Sequence, residues 1–164
     1  MHHRSIDVYD RFLGALGRVL AKAEAHCAAK NIKPEAILNF RLYPDMFSFM
    51  RQVQLTCDFA TRGAARLAGD EPKAFPDTET SFAELQARIA AARAYVTGFQ
   101  PERLADAAGR VISFKAGPRD MTLNGEDFLA FFSLPQLFFH MTTAYDILRH
   151  NGVELTKADY MGAT

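Results

Sequence analysis

Four stretches of this chain place apolar residues at alternating steps of three and four, a period that only amphipathic helices satisfy over such lengths. The first runs from about Ser5 to Lys30, with Phe12, Leu16, Val19, Leu20, Ala23 and Cys27 on one stripe. The second is expected to open at Pro44, whose missing N–H costs nothing at a first helical position, and to close at Gly69. Its stripe holds Phe49, Met50, Val53, Cys57, Ala60 and Leu67. The third opens at Ser81-Phe-Ala-Glu84, a cap signature in which serine and glutamate serve each other's orphan N–H groups. The fourth spans about Glu126 to His150. Helices of roughly 20 to 25 residues are about 30 to 38 Å long, matched lengths for an all-α, up-down four-helix bundle.

The connections differ in kind. Pro34 predicts a short extra turn after the first helix, and GDEPKAFPDTET reads as an acidic, proline-bearing surface loop. Before the fourth helix, Val111–Lys115 and Met121–Leu123 are β-like runs around Gly117-Pro118, so the long connection there is expected to hold a small β-hairpin.

At 164 residues the chain suits a single domain over 1–164. Nineteen basic residues balance nineteen acidic ones, so no field favours nucleic acid or an anionic membrane. The longest apolar run, FLAFFSLPQLFF, is too short to span a bilayer, and the polar MHHRSIDVYDRF enters the first helix directly. A cytoplasmic protein is expected. Cys27 and Cys57 lie on core stripes, outside any CxxC or CxxH spacing, and read as reduced core thiols. His2 and His3 receive no role from the sequence.

The chemistry-bearing residues crowd the fourth helix. Gly152 falls just past its last periodic position, so Arg149, His150 and Asn151 read as a helix end, with Asp146 one turn back from His150. His140 is different, because it sits among Leu134, Leu137, Phe138, Ile147 and Leu148 and needs buried partners for its ring nitrogens. Gln136 and Thr143 share its face. His140 and His150 diverge by roughly 80° and about 15 Å along one straight helix, so they cannot ligate one metal. Pro135, inside the pattern, predicts a kink that frees the carbonyl of Phe131. Arg41, before the second helix, reads as a tie for its loop.

The motifs NFRLYPDM (39–46), RQVQ (51–54), DTETSFAELQARI (77–89), FFHMTTAYDILRHNGV (138–153) and K-x-D-Y-M-G (157–162) make the chain resemble a bacterial family of unknown function. That family lies within the DinB/YfiT-like superfamily of four-helix bundles. The resemblance covers nearly the whole chain and implies the bundle, the hairpin link and often a dimer. Superfamily members often bind a divalent metal through one histidine on helix two and an H-x-x-x-H pair on helix four, and some are thiol-dependent transferases or isomerases. Aligning the closing R-x-x-G with Arg149–Gly152 puts the pair at Gln136 and His140, with the helix-two position near Gln54. Glutamine amides are weak ligands, so no metal is expected beyond a weakly bound divalent ion at His140, with Asp58 as a second candidate ligand.

Three functions stay open at this stage, and whether the protein is an enzyme stays open with them. One is a small-ligand-binding bundle whose pocket is lined by Gln54, Gln136, His140 and Thr143, with Met50 and Phe138 as apolar neighbours. Another is a metal-dependent, thiol-linked transferase. The third is a structural or interaction protein built as a homodimer, suggested by 14 Phe and no Trp in one small domain.

Overall fold

A computed structural model of the protein describes residues 1–162. The last two positions of the expected domain over 1–164 lie outside the described residues. Helix α1 covers His2–Lys30 and ends on Asn31, whose left-handed conformation (φ 54°) turns the chain. A short α2, Pro34–Leu38, is the turn that Pro34 predicts. Helix α3 covers Phe49–Ala68 and α4 covers Phe82–Thr97. Two 3₁₀ turns lead to strands β1 (Val111–Ala116) and β2 (Arg119–Asn124), then α5 (Gly125–Phe128), α6 (Leu134–His150) and α7 (Lys157–Met161). The architecture is the expected helical bundle with a hairpin before its last long helix.

Three local expectations are corrected. The second long helix opens at Phe49, not Pro44, because Ser48 supplies the cap that accepts from the Arg51 N–H. Residues 41–48 instead form a closed loop, bridged between Arg41 and Ser48 and tied by the Arg41 guanidinium donating to the Met46 carbonyl. At the third helix, Ser81 accepts from the Glu84 N–H as expected, yet the Glu84 carboxylate accepts from Thr80, one residue earlier than a reciprocal box requires. Finally, the continuous fourth helix expected from Glu126 to His150 is interrupted. Residues Leu129–Ser133 form a wide π turn between α5 and α6, which leaves Pro135 in the first turn of α6, where its ring is tolerated.

Pairings fix the helix directions. Asp10 meets Arg93 and Gly17 meets Gln86, so α1 and α4 are antiparallel. Gln52 meets His140 and Phe59 meets Phe132, so α3 and α6 are antiparallel as well. Arg88 of α4 reaches Asp58 mid-way along α3, while Asp70 and Arg103 meet beyond the far ends of both helices. Helices α3 and α4 therefore run in the same direction, so the four long helices run up, down, down, up rather than in the strict alternation of an up-down bundle. Residues 69–81 must travel back along the bundle between them, and at about 3.3 Å per extended residue they reach far enough.

The core is continuous across all four long helices. Leu13, Leu16, Leu20, Leu67, Leu85 and Leu137 are fully buried, each contributing on the order of 2 kcal/mol from area removed from water. The hairpin adds Ile112 and Phe114, and Phe114 packs on Phe128 and Phe132 at 5.2 and 4.5 Å. Gly152 (φ 82°) closes α6 as expected, and the Asn151 amide donates to the Ile147 carbonyl. No ion pair joins Asp146 to His150 among the described residues, and His150 lies against Phe40 instead. No helix is long and apolar enough to cross a membrane among the described residues.

Candidate functional site

Helix α6 carries His140 on the side that faces α3, and the side chain is 6% exposed. Its Nδ1 lies 2.8 Å from Gln52 Oε1. An amide oxygen only accepts, so Nδ1 carries the proton and Nε2 keeps a lone pair. The Gln52 amide is itself oriented, because its Nε2 donates to the Phe47 carbonyl at 3.3 Å. Phe59, seven residues along α3 from Gln52 and thus on the same face, stacks on the imidazole at 5.3 Å and 9°. Phe139 meets the ring edge-on at 5.2 Å.

This setting keeps the ring neutral. Burial strips water from an imidazolium, and the Arg51 guanidinium repels it, so the His140 pKa is held down at about 4. Nε2 makes no hydrogen bond among the described residues and is not among the buried atoms left without a partner. It is one oriented acceptor at the surface between α3 and α6.

The other expected residues divide between this place and another. Thr143 is buried beside His140, but its hydroxyl donates to the Phe139 carbonyl of its own helix. Gln136, one turn before His140, is half-buried and makes no side-chain hydrogen bond among the described residues. Gln54 does not join them. Its amide donates to Glu79 at 2.8 Å and accepts from Arg51 at 3.1 Å, on the side of α3 that faces α4. Two residues along a helix are 200° apart, so Gln52 and Gln54 cannot both face α6. Phe138 turns toward α1, packing on Phe12 at 4.8 Å.

Asp58 belongs with Gln54. It accepts from Arg88 at 2.6 Å and from Arg62 at 2.8 Å. Burial lifts its carboxyl above the usual range, and the two guanidiniums pull it back. Arg88 also binds Glu79, Asp77 and the Pro76 carbonyl and lies over the Phe75 ring. That group fastens the 69–81 strap to the bundle. Neither cysteine stands ready as a nucleophile: both are buried, and burial pushes the Cys57 thiol up to about 12.

The surface concavities lie elsewhere. One, about 340 Å³, sits between α1 and α4 beside Gly14, Gly17 and Arg93, and another, about 530 Å³, lies between α1 and Gly152. Neither is lined by His140.

The profile of a domain of unknown function, DUF1993, matches residues 1–161. The chain belongs to the DUF1993 family. No curated protein matches it. A crystal structure of a DinB family member protein from Shewanella denitrificans is 40% identical, with a TM-score of 0.92 over 99% of this chain and 92% of that one. This DUF1993 chain is therefore DinB-like in fold.

Within the DUF1993 chain, sequence reasoning missed both Gln52 and Arg88. Gln52 was concealed by the neighbouring Gln54, two residues on in RQVQ, since helix rotation alone decides which amide meets α6. Arg88 has one available signal: it is a cation one turn before Ala92 and one turn after Leu85, on the apolar side of its helix.

Proposed function

We propose that this protein is a small-ligand-binding bundle in which His140 Nε2 accepts a hydrogen bond from the ligand. The observation that carries the reading is the His140–Gln52 pair, which fixes the tautomer and leaves one aimed lone pair beside Phe59 and Phe139. A ring that stays neutral at physiological pH suits an uncharged N–H or O–H donor attached to an apolar body. Gln136 and Thr143 flank the same ring and would contact such a ligand.

The superfamily's divalent metal fits these residues poorly. His140 offers one imidazole, Gln136 stands at the second ligand place, and Gln54 is committed to Glu79 and Arg51. One imidazole with amide oxygens is a weak donor set for zinc or nickel, so no catalytic step is assigned to a metal here. Asp58 adds nothing to it, being held by two arginines.

The test is a thermal-shift screen of small neutral N–H and O–H donors against the wild-type chain, His140→Phe and Gln52→Leu. Compounds that raise the wild-type Tm should lose that effect in His140→Phe and lose part of it in Gln52→Leu, where the tautomer is no longer fixed. Equal shifts in all three proteins would defeat the reading.

A homodimer is the partner we favour, since Phe131 of the π turn (76% exposed) and Phe139 of α6 (56% exposed) stand out from the surface. Light scattering at micromolar concentration that returns only the monomer mass would refute it.

A further inference from the structure

The start of α1 gathers three ligating side chains that neither the bundle nor the His140 site uses. His2 Nδ1 stands 3.4 Å from Asp7 Oδ1, and His3 Nδ1 stands 2.5 Å from Asp7 Oδ2. One ligand atom from each of the three residues lies within 4.8 Å of the others.

One of the three ligand atoms has no hydrogen-bond partner. His2 Nε2 lies 3.0 Å from the Phe99 carbonyl, which only accepts, so the single proton of a neutral ring sits on Nε2. Nδ1 is then a lone pair that is sealed from water and has no hydrogen-bond partner. It faces a carboxylate, which is also only an acceptor. His3 meets the other oxygen of the same carboxylate, so both imidazoles and the carboxylate converge on one place. A metal ion would satisfy all three donors at once.

The His2 ring is held as a ligand would be. An imidazole whose far N–H donates to a backbone carbonyl is held in one tautomer and one orientation, the usual support for a metal-bound histidine. Tetrahedral ligands about 2.1 Å from a zinc ion stand roughly 3.4 Å apart. His2 Nδ1 and Asp7 Oδ1 are already at that separation, and the exposed His3 side chain has room to open to it. Two imidazoles with one carboxylate is a donor set that suits zinc or nickel rather than calcium or magnesium.

We propose that His2, His3 and Asp7 form a site for a divalent transition-metal ion, seated where the start of α1 meets the end of α4, with its remaining coordination positions open to water. It is independent of the reading of His140. The test is calorimetric titration of the chelator-treated full chain with zinc chloride near pH 7.5, in a buffer that does not bind metal. One equivalent is expected. His2→Gln, His3→Gln and Asp7→Asn should each weaken binding by about tenfold or more, while His140→Phe leaves it unchanged. Circular dichroism keeps the comparison to folded variants, and zinc should raise the Tm of the wild type but not of the triple variant. Absence of binding, an equivalent retained by the triple variant, or loss of the site in His140→Phe would each overturn the proposal.

Discussion

Arg88 and Asp58 meet between α4 and α3 at 2.6 Å, with both side chains withdrawn from solvent. The same guanidinium holds Glu79, Asp77 and the Pro76 carbonyl, so one cation joins two parallel helices and the strap between them.

Truncating that cation should be costly. Arg88→Ala leaves Asp58 buried with only the half-exposed Arg62 beside it, and breaking a buried pair costs about 3–5 kcal/mol. The expected outcome is a urea midpoint lowered by an equivalent amount. Arg88→Met with Asp58→Leu should recover much of the loss, because an apolar replacement of both partners removes the stranded charge. An Arg88→Ala chain as stable as the wild type would contradict this account.

Acid should act through His140. Its folded pKa is about 4 against an ordinary value near 6.5, so between those values the unfolded chain takes a proton that the folded chain refuses. Stability contributed by the neutral ring is whole above pH 6.5, declines as pH falls toward 4, and changes no further below it. The full difference is on the order of 3 kcal/mol. His140→Phe should flatten that part of the wild-type stability profile. NMR titration should find the His140 ring neutral at pH 5.5, and a midpoint near 6.5 would be incompatible with the site described.

Gly63 is a third test. A Cβ there would come within 2.4 Å of both Ser133 Oγ and Tyr9 Oη, which share a 2.6 Å hydrogen bond in the core. Gly63→Ala should lose about 1–3 kcal/mol through overpacking, read as a lower Tm. In a Tyr9→Phe, Ser133→Ala background both obstructing oxygens are gone and only the ring carbon of residue 9 stays close, so the same substitution should cost less. An equal loss in the two backgrounds would show that contact with this pair is not the cause.

The features legible in the sequence are those set by neighbours along the chain. Gly152, the Ser81 cap and the hairpin around Gly117 each follow from a few consecutive residues, and each stands where expected. Helix rotation is not local. Whether Gln52 or Gln54 meets His140 depends on how α3 is turned by α4 and α6 together, and a shift of two residues carries a side chain to the opposite face. The fate of Asp58 was concealed for the same reason, since its partner Arg88 lies 30 residues away across the strap. At Pro135 the pattern announced strain but not its remedy, because a kink and a π turn both relieve a proline clash.

The order of packing bears on how the chain is made. Antiparallel contacts from Asp10 and Gly17 commit α1 to α4, and Tyr9 and Phe12 reach to Ser133 and Phe138. A chain emerging from the ribosome at roughly 5–20 residues per second therefore presents its first helix for several seconds before α4 or α6 exists, with only α3 available to it earlier. Its leucine stripe lacks those two covers during that interval, and the bundle closes only near the end of synthesis.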